Sequence, residues 1–230
     1  MSRKWIGAFA LAVGSLAAAA DPPAVPGPYR AFVVTDARYD KWVPKAADEA
    51  KGGGAKADRK ARQSTRNRAG MMHDLVTDTG LNPGLAVFAR SVPAATDAPV
   101  AKLADRLDAL VSARQADRLT AFVVFLTLGK EYPEDEGRDA KRAEVEKLAD
   151  QLADQSATKM QPFRVPFALA AAKSEATDAW GLKDTAEVTV VFFHRMRVIG
   201  RWEFTADKPI DDAAVKAITD AVNKELATKP

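Results

Sequence analysis

The chain holds no cysteine in its 230 residues, so neither thiol nucleophilic catalysis nor disulfide exchange is open to it. Its two histidines, His73 and His194, are 121 positions apart; a zinc site without cysteine would need both of them and added carboxylates. Met71-Met72-His73 is the one soft-ligand run, with donors suited to Cu(I). The same methionines also suit a plainer role, as apolar anchors where the chain re-enters the core. His73-Asp74 has the composition of an acid/base pair, but adjacent residues do not face one another and no nucleophile accompanies them. Arg66, Arg68 and Arg90 form an anion site only if folding gathers them; as separate residues they are solvated surface. There is no phosphate-binding loop, no dinucleotide glycine fingerprint and no serine elbow.

Elements able to position such residues follow a leader. Arg3 and Lys4 precede an apolar run that ends in Ala18-Ala19-Ala20, the pattern of a secretory signal cleaved after Ala20. The run falls short of the ~20 residues of a permanent span, and no cysteine follows it to take a lipid anchor. Secretion or delivery to a periplasm is therefore expected, with no stable membrane insertion after cleavage. Removing residues 1–20 leaves 32 Lys and Arg against 31 Asp and Glu, so a nearly neutral total gives no case for nucleic acid.

Residues 21–28, DPPAVPGP, hold four prolines and predict an extended tether. A first strand is expected over residues 29–36. Residues 44–68 then carry a glycine triplet, hardly a large apolar side chain, and eight basic residues against three acidic, a net charge of +5. Such a stretch buries too little to offset its ordering entropy, and it reads as a flexible basic insertion, either a soluble loop or a contact for an acidic partner. Tyr39 and Trp42 precede it, packed beneath it or presented as an aromatic patch.

Beyond the insertion the periodicity is clear. Residues 85–89 read as a buried strand, and Val100, Leu103, Leu107, Leu110 and Val111 mark an amphipathic helix with Asp97 as a candidate N-cap. Residues 121–128, AFVVFLTL, fit a central strand covered on both faces. A charged helix over 139–155 follows, with Val145, Leu148 and Leu152 inward. Next come a short strand at 165–170, a hairpin of residues 187–193 and 198–204, and a last helix capped by Asp211 or Asp212.

This order resembles the thioredoxin superfamily, in particular its peroxiredoxin-like and exported thioredoxin-like branches, across about residues 29–227. NPGLAVFAR is similar to the strand that leads to their active site, AFVVFLTL to the next strand, and TVVFFHRMRVIGRWEF to their last two. The resemblance implies an α/β, thioredoxin-like three-layer sandwich over residues 29–230, with a mostly parallel central sheet and a C-terminal β-hairpin plus helix. In redox-active members a cysteine follows the active-site strand; here that stretch is Arg90-Ser91-Val92-Pro93-Ala94-Ala95-Thr96-Asp97. Neither Ser91 nor Thr96 is redox active, and no activating base adjoins them in sequence. Val188 and Thr189 occupy the place of a proline common before the hairpin in that superfamily. The expected function is thus an exported thioredoxin-like module without thiol activity or cofactor, binding or scaffolding an extracytoplasmic protein or small ligand through Arg90, Ser91, Thr96, Arg66 or Arg68. The alternative is a copper carrier or a non-thiol enzyme using Met71, Met72 and His73.

Overall fold

Alternate residues of one strand show why the molecule is layered: Ala121, Val123 and Phe125 enter one buried cluster, and Phe122, Val124 and Leu126 enter another on the opposite face. A strand so enclosed needs cover on both sides. The computed structural model describes residues 22–36, 68–129, 136–158 and 163–228. The leader, Tyr39, Trp42, Arg66 and nearly all of the insertion lie outside the described residues.

In chain order the elements are β1 (Arg30–Thr35), β2 (Met72–Asp74), α1 (Leu75–Thr79), β3 (Gly84–Ala89), α2 (Pro99–Ala113), β4 (Thr120–Leu128), α3 (Glu136–Thr158), β5 (Phe167–Ala171), α4 (Glu175–Ala179), β6 (Val188–His194), β7 (Arg197–Phe204) and α5 (Asp212–Ala227). They form a seven-stranded sheet in the order β2-β1-β5-β4-β3-β6-β7. The strands β3, β4 and β5 are parallel, joined by crossovers through α2 and α3. The flanks are antiparallel: β1 against β5, β2 against β1, β6 against β3 and β7 against β6. Parallel pairing is thus confined to the centre, where helices allow the return crossing, while hairpins build the edges.

The three longer helices pack on one face, through Leu103, Leu107 and Val111 of α2, Val145, Leu148 and Leu152 of α3, and Ile218, Val222 and Leu226 of α5. On the other face Leu75, Val76, Trp180, Tyr29 and Val25 cover the sheet, and Tyr29, Phe88 and Trp180 stack with ring centroids 4.8–5.9 Å apart. The proline-rich segment is extended and runs beside the start of β7: the Val25 N–H donates to Met196 O and the Val198 N–H to Pro23 O, both at 2.8 Å. Proline cannot donate, so this pairing draws on the valine N–H and the proline carbonyl.

Helix ends follow local chemistry. Asp211 accepts the Ala214 N–H at 2.7 Å and starts α5. The start of α2 differs from the sequence expectation: Ala98 is the N-cap and makes no side-chain bond, while Pro99 opens the helix. Proline presents no N–H to cap, and Asp97 stands one position too early.

Asp108 of α2 is 4 % exposed and accepts the backbone N–H groups of Arg164 and Val165, latching the helix to the approach to β5. Burial raises its pKa above 3.8, against the lowering effect of those N–H donors and of Arg164. The contribution of Asp108 to stability is therefore fully present below the ordinary carboxylate value and is lost as pH rises through the higher folded one. Denaturant titrations between about pH 4 and pH 7 are expected to show wild type losing stability relative to Asp108→Asn as pH rises. A difference that stays constant over that range would count against the burial argument.

Candidate functional site

The C-terminal ends of β3, β4 and β5 lie together at one end of the sheet, and residues 90–98 cross there from β3 to α2. Arg90 is fastened at this place. Its N–H donates to Glu187 O at 2.9 Å, and its guanidinium donates to Leu182 O at 2.8 Å and Ala172 O at 3.2 Å and pairs with Asp184 at 3.0 Å. It ties together the segments that follow β5 and precede β6, so its charge serves the scaffold. Ser91 is exposed. Thr96 accepts a hydrogen bond from Gln155 Nε2 at 2.7 Å, which fixes the loop to α3.

Among the described residues two concavities border the loop. The larger, of about 450 Å³, is walled by Thr96 and Asp97, by Lys102, Asp105 and Arg106 of α2, by Gln155 of α3, and by Asp212 and Val215 of α5. The smaller, of about 180 Å³, lies between Val92, Pro93 and Ala94 and the polar side of α3. Lys102, Arg106 and Gln155 carry no sequence signal beyond their place on polar helix faces, and Asp212 reads only as a candidate helix cap. Only the crossing of three helices makes them neighbours.

Neither histidine reaches this loop. His73 sits on β2, four strand spacings or about 19 Å from β3. His194 ends β6, six residues beyond the partner of Ala89 and so about 20 Å down the sheet. The two histidines are themselves five strand spacings apart, roughly 24 Å. His194 instead meets Glu225 of α5, Nδ1 to Oε1 at 2.8 Å.

The Met71-Met72-His73 run does not converge. Alternation along the extended chain sends Met72 to the face opposite Met71 and His73, and Met72 packs against the core while Met71 is 50 % exposed. His73 Nδ1 is 2.7 Å from Asp78 Oδ2, not beside Asp74. The Asp74 carboxylate is engaged elsewhere: it caps α1 through the N–H groups of Val76 and Thr77 and accepts the Tyr29 N–H at 3.0 Å. Among the described residues no three His, Asp or Glu side chains are placed to hold a metal ion.

Arg68 stands apart from Arg90. Its partner Asp36 follows the end of β1 that pairs with the first residue of β5, whereas Arg90 follows the last residue of β3, so the two arginines lie at opposite ends of the sheet. Arg68 is 8 % exposed rather than solvated. Its Nε donates to Asp36 Oδ2 and its Nη1 to Asp78 Oδ2, each at 2.6 Å. Burial acts to lower the pKa of the guanidinium, and the carboxylates of Asp36 and Asp78 outweigh it and raise the pKa. Asp36 and Arg68 bracket residues 37–67 and so hold the two ends of the insertion together. Replacing residues 44–67 with a short Gly/Ser linker while keeping Arg68 is expected to change stability by less than about 1 kcal/mol, as loop closure grows only slowly with length. A collapsed melting transition in that variant would mean that the segment carries part of the core.

No family model matches the chain, and neither does the sequence of any curated protein. Solved structures do. An uncharacterized conserved protein from Geobacillus kaustophilus superposes with a TM-score of 0.52 at 13% identity, covering 91% of this chain and 84% of that one. Mycobacterium tuberculosis AhpC superposes with a TM-score of 0.50 at 10% identity, covering 89% of this chain and 98% of that one. At such identities the likeness concerns the fold. The chain has the thioredoxin-like α/β fold of the peroxiredoxins, and it has no cysteine to carry thiol chemistry on that fold.

Proposed function

We propose that this chain is an exported, non-redox binding module that holds a small polar ligand in the cleft between residues 96–97 and the helices α2, α3 and α5. The observation that carries the reading is the cleft itself: about 450 Å³ of space beside the loop that enters α2. This volume falls in the usual range for small-molecule sites, and the cleft opens between helices that pack on the sheet. The Thr96 hydroxyl and the charged side chains of α2 and α5 supply polarity there. The metal-carrier reading draws no support from the placement of Met72, whose side chain packs against the core.

Export rests on the leader, and intact mass of secreted material is expected to begin at Asp21. For the cleft, a screen of small polar fragments by amide chemical shifts is expected to perturb residues 96–106 and 212–215. Shifts confined to other surfaces, or no shifts at all, would overturn the assignment of the site.

A further inference from the structure

The cleft is lined by charges of both signs. Lys102 and Arg106 stand one turn apart on α2, and Asp97 and Asp212 stand on the loop and on α5. Among the described residues none of these four side chains has an ion-pair or side-chain hydrogen-bond partner, although all four line the same 450 Å³. Opposite charges one turn apart on a single helix do pair, as Lys141 does with Glu144 and Lys216 with Asp220, whereas the charges of the cleft are divided between a loop and two helices. With Asp105 of α2, which also lines the cleft, two cations and three anions share one concavity, and a ligand that carries both charges would meet both signs. A purely anionic ligand would meet the three aspartates, and a purely cationic one the lysine and arginine, each an unfavourable contact.

We infer that the cleft binds a small zwitterion of amino-acid or dipeptide size, its carboxylate toward Lys102 and Arg106 and its ammonium group toward Asp97 and Asp212. Arginine offers the carboxylate a planar fork and lysine a point charge, one helical turn apart. Val215 supplies an apolar surface for the ligand's side chain, and the Thr96–Gln155 pair closes one wall. The inference rests on the site proposed above and adds the class of ligand to it.

The test titrates the full chain with alanyl-alanine, with its N-acetylated form, which keeps only the negative charge, and with its amide, which keeps only the positive charge. Amide shifts across residues 96–106 and 212–215 are expected with the free dipeptide, at least tenfold weaker binding with either blocked form, and at least tenfold weaker binding of the dipeptide to Lys102→Gln/Arg106→Gln. These side chains are on the surface, so the variant is expected to melt as wild type does, which separates lost binding from lost folding. Equal binding of the blocked forms, or no shift with the free dipeptide, overturns the zwitterion. If the fragment screen still finds a ligand on these residues, the site survives that failure. If it finds none, both readings fall together.

Discussion

Replacing Arg68 with methionine is expected to cost about 3–5 kcal/mol of folding stability, the range for removing one member of a buried ion pair. The side chain of Asp36 has no exposed surface and that of Arg68 has 10 %, so water screens little of their contact at 2.6 Å. The same guanidinium holds Asp78, whose carboxylate also faces His73, and methionine keeps most of the aliphatic stem while dropping both bonds. Urea unfolding measures the loss directly. A second variant guards the interpretation: Asp36→Asn added to Arg68→Met is expected to recover much of the loss, because it removes the carboxylate that the first change deprives of its cation. A single variant as stable as wild type would mean that Asp36 is satisfied without Arg68.

The next largest effect is expected from one methyl group. A Cβ placed on Gly84, at the start of β3, would stand 2.5 Å from Cζ of Phe193 and 2.9 Å from Cγ2 of Thr79. Phe193 is fully buried against the aromatic cluster and has nowhere to yield. Gly84→Ala is expected to destabilise by about 1–3 kcal/mol, the range for overpacking a close-packed core. In a chain of this size that is a fall of roughly 3–10 °C in Tm, read by calorimetry. Combining it with Phe193→Leu, which frees volume at the contact, is expected to cost less than the sum of the two separate changes. Strict additivity would show that the contact is not what requires glycine here.

Sequence pattern made much of this fold legible. AFVVFLTL reads as a central strand because both of its faces are buried, and Val145, Leu148 and Leu152 repeat at the spacing of one helix face. The closing hairpin was plain from two apolar runs and the short link between them, although its turn places Arg195 and Met196 at φ of 51° and 60° with no glycine to signal it. Pairings across long separations were not legible. The three residues of β2 lie opposite β1 across the whole insertion, and nothing in Met72-His73-Asp74 alone tells a strand from a loop. Arg68 looks like the last of a run of solvated basic residues until Asp36, 32 positions earlier, is placed against it. Of the cleft only Thr96 was a candidate, since its other walls are loop and helix positions as far apart as residues 97 and 215.

The ion pair between Asp36 and Arg68 has a bearing on engineering. It fixes the two ends of a 31-residue excursion side by side, on an edge hairpin at the end of the sheet away from the proposed cleft. The scaffold therefore already contains a grafting port: a second folded module whose termini lie close together, spliced between residues 43 and 68 on short linkers, would enter where the chain leaves and returns at one point. A sensor made this way would keep its ligand site and its inserted reporter at opposite poles of one rigid sheet.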